Sequence, residues 1–129
     1  MQMNKCKILV VDDEPDFSRL LAVILDRVGG YEVREENRSV AALRTAKVFR
    51  PDLIVLDLQM PEKDGNAVRE EFRRDPDLAK TPIVFVTGLI SKSESGFRDG
   101  VRCLPKPVDP WVLLDTIANL CTSPAPAAS

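Results

Sequence analysis

Three unbroken apolar runs punctuate the chain: Ile8-Leu9-Val10-Val11, Leu53-Ile54-Val55-Leu56 and Ile83-Val84-Phe85-Val86. Runs this short, each followed at once by polar residues, read as strands buried on both faces. Val101-Arg102-Cys103-Leu104 reads as the last strand. Tyr31-Glu32-Val33-Arg34-Glu35 alternates instead, the pattern of a half-exposed edge strand.

Between these runs the apolar period changes to that of helices. Phe17, Leu20, Leu21, Ile24, Leu25 and Val28 recur at helical spacing, with Pro15 in the first turn and Gly29-Gly30 as the stop. Asn37 or Ser39 could cap a second helix running to about Phe49, with Val40, Leu43 and Ala46 on one face. A third follows Gly65, with Val68 and Phe72 inward. Its other side, Arg69, Glu70, Glu71, Arg73 and Arg74, reads as a solvated face. Ile90 to Gly100 should hold a fourth helix, but three serines, an internal Gly96 and only two large apolar residues predict a short or mobile element. The last helix spans roughly Asp109 to Cys121, with Leu113, Leu114, Ile117, Leu120 and Cys121 inward. Residues 123–129 hold only Ser, Pro and Ala and read as a disordered tail or a truncated linker.

Strand and helix alternate with short connections. That order calls for one parallel sheet with helices on both faces. Every strand-to-helix junction then falls on one edge of the sheet, where ligands of open α/β sheets bind. Asp12, Asp13, Asp57, Thr87 and Lys106 all stand at such junctions. This convergence is what carries chemistry.

Composition narrows the possibilities further. The chain has 129 residues, 44% hydrophobic and 29% charged, enough for one soluble domain with its own core. No run is long enough to span a membrane, and Met1 to Lys7 has no signal-peptide pattern. A net charge of −2 gives no basic field for nucleic acid. The absence of histidine excludes histidine triads and histidine-ligated zinc. Cys6, Cys103 and Cys121 are odd in number and form no CxxC pair, so reduced thiols in a cytoplasmic protein are expected.

Three carboxylates gathered at one edge cannot all stay ionised without cations. Lys106 supplies one positive charge, and a hard divalent ion would supply more. Oxygen ligands without His or Cys select Mg²⁺. A carboxylate beside Mg²⁺ is a nucleophile for phosphoryl groups, and Asp57, ending the central strand, is placed for it. Thr87 can donate its hydroxyl to a phosphoryl oxygen, and Lys106 can pair with another. Gly88 leaves room for the group. The bland reading, an acidic capping cluster with a structural salt bridge to Lys106, accounts poorly for all five positions together.

The set Asp12-Asp13, Asp57, Thr87 and Lys106-Pro107, with Asp57-Leu58-Gln59-Met60-Pro61 and Asp64-Gly65, resembles the receiver domain of two-component response regulators. The match covers about residues 5 to 122. The resemblance implies a flavodoxin-like (βα)5 fold, a doubly wound parallel five-stranded sheet in the order 2-1-3-4-5. It implies that Asp57 accepts a phosphoryl group from a phosphohistidine on a sensor histidine kinase or histidine phosphotransfer protein. Asp13, Asp57 and the main-chain carbonyl of Gln59 would hold Mg²⁺, with Asp12 acting largely through metal-bound water. The Lys106-Pro107 bond is expected to be cis. Thr87 and Lys106 would turn toward the phosphoryl group and alter the face of the fourth helix, fifth strand and fifth helix. That face would be read by an effector protein or a fused output domain. One departure stands out: the position three before the lysine, usually an aromatic switch residue, is Cys103. Phe97 and Trp111 are the candidate substitutes.

Three functions follow in order of support. The first is a phosphorylation-dependent signalling switch that is not an enzyme beyond its own phosphorylation and dephosphorylation. The second is a receiver-like docking module that works without phosphorylation. The third, an aspartate-based phosphohydrolase, usually needs a second acid two residues after the nucleophile, where Gln59 stands.

Overall fold

The computed structural model describes residues 5–88, 96–98 and 100–121. The chain runs β1 (Lys7–Val11), α1 (Pro15–Val23), β2 (Glu32–Glu36), α2 (Ala42–Phe49), β3 (Leu53–Leu56), α3 (Gly65–Arg74), β4 (Ile83–Thr87), β5 (Gly96–Arg98), β6 (Val101–Pro105) and α4 (Pro110–Leu120). One sheet takes the order β2-β1-β3-β4-β6-β5. All pairings are parallel except β5 with β6. The five parallel strands therefore keep the expected doubly wound order.

Strand alternation sorts the core into two halves. Leu9, Val11, Ile54, Leu56 and Phe85 face Ala42, Ala46, Val68 and Phe72 of α2 and α3. Ile8, Val10, Val55, Val84 and Leu104 point to the other face, where they pack with Leu21 and Leu25 and with Leu113 and Ile117 of α4. Both faces of the central strands are thus covered, as their unbroken apolar runs required.

Several expectations are corrected. Residues 96–98 form a short antiparallel strand on β6 rather than part of a fourth helix. Gly96 (φ +145) and Gly100 (φ +79) supply backbone geometry that a helix interior would not tolerate. The rest of that expected helix, residues 89–95, lies outside the described residues, as does the expected tail over 123–129. Neither Asn37 nor Ser39 caps α2, which begins from a 3₁₀ turn at Ser39–Ala41. Leu20, Val28, Val40 and Leu120, read onto inward stripes, are exposed.

The thiols also differ from expectation. Cys6 and Cys121 are joined as a disulfide with their Cα atoms 6.5 Å apart, while Cys103 is free and buried. Cys6 precedes β1, and α4 packs on the same half of the core as β1, so the two ends of the domain meet. Pairwise spacing along the sequence could not show that meeting, because 115 residues separate the two cysteines.

Candidate functional site

The site grows from the ends of β1, β3, β4 and β6. Asp12 follows β1 and is buried, with its Oδ1 accepting from the Glu14 N–H at 2.9 Å. Asp57 follows β3 and is also buried. Its backbone N–H donates to the Val11 carbonyl at 3.0 Å, and its Oδ1 accepts from the Gln59 N–H at 3.2 Å. Asp13 is half-buried beside them. One carboxylate oxygen from each of Asp12, Asp13 and Asp57 lies within 4.8 Å of the others.

Lys106 reaches into this cluster from the loop after β6. Its Nζ lies 2.9 Å from Asp12 Oδ2, 3.0 Å from Glu14 Oε1 and 3.4 Å from Asp57 Oδ2. Its backbone N–H donates to the Thr87 carbonyl at 2.9 Å, so the end of β4 anchors the lysine. The Phe17 ring lies 4.3 Å from the ammonium. The Lys106-Pro107 bond is cis. Thr87 is fully buried at the end of β4, and Gly88 lines the mouth together with Gln59, Met60 and Pro61. The recess encloses about 580 Å³.

Electrostatics follow from burial. Desolvation pushes the Asp12 carboxyl above its ordinary range, against the pull of the Glu14 N–H and the Lys106 ammonium. Desolvation likewise raises Asp57, and the Asp12 charge adds to it. Burial alone would lower Lys106. The carboxylates of Asp12, Glu14 and Asp57 outweigh it and push the ammonium well above its ordinary range, so it stays charged. A pocket that resists holding its own negative charges is one that gains from a further cation.

The loop behind Asp57 is held just as closely. A Cβ on Gly65 would collide with the Asp57 carbonyl and the Leu58 Cα, and the Gly65 N–H donates to the Leu58 carbonyl at 2.9 Å. Asp64 caps α3 by accepting from the Ala67 N–H at 2.9 Å. These two contacts give the Asp64-Gly65 pair its physical reason.

Sequence reasoning missed two residues. Glu14 is one: it shares the Lys106 ammonium, 3.0 Å from its Oε1. Its position in the same strand-to-helix turn as Asp12 and Asp13 was the available signal. Asn37 donates through Nδ2 to the Asp12 carbonyl at 2.7 Å and to Ser18 Oγ at 2.9 Å, tying β2 to the β1 end. No local pattern announces that role. Phe97 and Trp111 are 73% and 72% exposed, and Phe97 lies against the Arg102 guanidinium, so neither fills the place of the missing aromatic. Cys103 is packed in the core instead.

The donor set fits a hard divalent ion. It is all oxygen, three carboxylates converge, and the mouth stays open for water or phosphate.

Comparison with known proteins agrees. Residues 8–118 match the response regulator receiver domain family. Over 117 residues the chain is 36% identical to the transcriptional regulator RpaA of Synechocystis sp., covering 88% of this chain and 48% of that protein. It is 31% identical to the protein PilH of Pseudomonas aeruginosa, covering 86% and 93%. The solved chemotaxis protein CheY4 of Vibrio cholerae superposes with a TM-score of 0.79 at 29% identity, covering 91% and 99%. The chain spans less than half the length of RpaA and of the ycf27 regulator of Cyanophora paradoxa.

Proposed function

The chain belongs to the response regulator receiver family, and from that premise we propose that Asp57 is its phosphoacceptor and Mg²⁺ its cofactor. The observation that carries this reading is Lys106 held between Asp12 and Asp57 at the open edge of the sheet. The family's place in two-component signalling is plain, and the residue roles are what the proposal adds.

In the proposed step an Asp57 carboxylate oxygen attacks phosphorus, an O–P bond forms, and the P–N bond to the donor imidazole breaks. The imidazole leaves neutral, taking up a proton from solvent. Asp12, Asp13, Asp57 and the Gln59 carbonyl would hold Mg²⁺, which when bound supplies positive charge for the phosphoryl oxygens. Lys106 has its charge ready beside the acceptor and gives a second point of neutralisation. Thr87 hydrogen-bonds a phosphoryl oxygen, and Gly88 leaves it space.

The donor is a protein, a histidine kinase or a histidine phosphotransfer protein. Support comes from an apolar rim at the mouth: Phe17, Leu20, Ile24, Pro107, Val108 and Pro110 enclose about 400 Å³ beside Lys106. Leu20, exposed although it follows the helical stripe, belongs to that rim. The reading places the protein in the cytoplasm and its output in an effector protein or fused domain, without nucleic-acid contact by this domain. Among the described residues, no helix is long and apolar enough to cross a membrane.

A docking module without phosphorylation is the second reading. It draws on the exposed Phe97 and Trp111 and on Cys103 buried in the aromatic's place. Intact-mass spectrometry separates the two. With Mg²⁺ and phosphoramidate, the switch gives a phosphate adduct that Asp57→Asn abolishes, and no adduct on the wild type selects the docking module.

A further inference from the structure

At the opposite end of the strands from Asp57, a second recess of about 260 Å³ opens where β4 and β6 begin. Arg69 and Arg73 of α3 and Arg102 of β6 line it, with Phe97, Ile83 and Val101 supplying apolar surface. Among the described residues no Asp or Glu lines it, in a chain whose net charge is −2.

Two of these arginines lack the partners that half-buried guanidinium groups normally have. Among the described residues, Arg69 has no carboxylate within ion-pair reach, whereas Arg73 is paired with Glu70 at 3.2 Å. Arg102 Nε is shielded from solvent without a hydrogen-bond acceptor, and its guanidinium lies 5.7 Å from the Phe97 ring centre. A guanidinium donor shielded in this way pairs most strongly with an anionic acceptor. Phe97 is 73% exposed, and β5, which carries it, ends the sheet.

The geometry points to a docking site for an acidic segment of a partner protein carrying one large apolar side chain. The carboxylates pair with Arg69 and Arg102, and the apolar side chain sits on Phe97, Ile83 and Val101. Charge complementarity selects the acid. The recess is of a size to hold one anchoring side chain. Exposed aromatic and arginine side chains are also what dominates the centre of protein interfaces. The recess and the acidic pocket lie at opposite ends of the sheet, so both can be occupied together. This inference does not depend on phosphoryl transfer.

The test uses a short fluorescein-labelled peptide with one phenylalanine flanked by glutamates and aspartates, read by fluorescence anisotropy against the full chain. The expected result is saturable binding that weakens at least about tenfold, or 1.4 kcal/mol, in Arg69→Gln/Arg102→Gln. Phe97→Ala, an exposed change that leaves the core intact, is expected to weaken it as well. Arg27→Gln, outside the recess, should leave it unchanged. The inference is overturned if the wild type shows no saturable binding, if the recess variants bind equally well, or if a peptide with glutamine and asparagine in place of the acids binds as tightly. Displacement by inorganic phosphate at moderate ionic strength would overturn it too, in favour of a small-anion site.

Discussion

Lys106 Nζ and Asp57 Oδ2 stand 3.4 Å apart although 49 residues separate them in the chain. The contact exists because β3 and β6 flank β4 in one parallel sheet and release their chains at the same edge. It sets a charged ammonium against a carboxylate whose burial resists ionisation.

Lys106→Met should slow phosphorylation by phosphoramidate about 10²-fold, the scale of losing one preorganised electrostatic contact. Mg²⁺ affinity should not fall, because the substitution removes a positive charge from the cluster. Stopped-flow phosphorylation and a Mg²⁺ titration check the two halves separately.

Burial raises Asp12 and Asp57 above 3.8 in the folded chain. Without metal, the folded state therefore binds protons more readily than the unfolded state. The stability these groups give is fully present below 3.8 and is lost as pH rises through their raised values. Metal-free protein should lose Tm over that window, and saturating Mg²⁺ should restore it by favouring the ionised forms. A hundredfold excess over Kd corresponds to about 2.7 kcal/mol. Thermal melts in EDTA and in Mg²⁺ from acid to neutral pH test this, and Asp57→Asn should flatten the metal-free slope.

Gly65→Ala should destabilise the fold by about 1–3 kcal/mol, since the added methyl meets the Asp57 carbonyl and Leu58 Cα. The backbone behind Asp57 must move to admit it. Urea unfolding measures the loss, and a slower phosphorylation rate should accompany it.

The Cys6–Cys121 link closes nearly the whole chain into one loop. Reducing it should lower stability by up to about 4–5 kcal/mol on chain-entropy grounds. Cys121→Ser should show the reduced-state Tm with or without reductant. Identical melts for oxidised and reduced wild type would contradict this.

Much of this was legible in the sequence because its signals are local. Buried apolar runs such as Leu53 to Leu56 mark central parallel strands, and polar residues just beyond them mark the edge where Asp12, Asp57 and Thr87 gather. Gly65 beside Asp64 announced a turn, though not that its missing side chain makes room for the Asp57 carbonyl. What stayed hidden depends on tertiary proximity. Glu14 reaches Lys106 across 92 residues, and Cys6 meets Cys121 only because α4 returns to β1. The Gly96–Arg98 strand was misread because a three-residue edge strand has too little pattern to compete with an expected helix. Gly96 and Gly100 were the cue to a hairpin.

Transfer of a phosphoryl group to Asp57 in the presence of Mg²⁺ would leave an acyl phosphate on that side chain. Borohydride reduction of the phosphorylated chain, followed by peptide mapping, locates the acceptor directly, because an acyl phosphate on aspartate is reduced to homoserine. Homoserine is expected at position 57, formed with Mg²⁺ and lost with EDTA. Homoserine at Asp12 or Asp13, or none anywhere despite Mg²⁺ and donor, would contradict it.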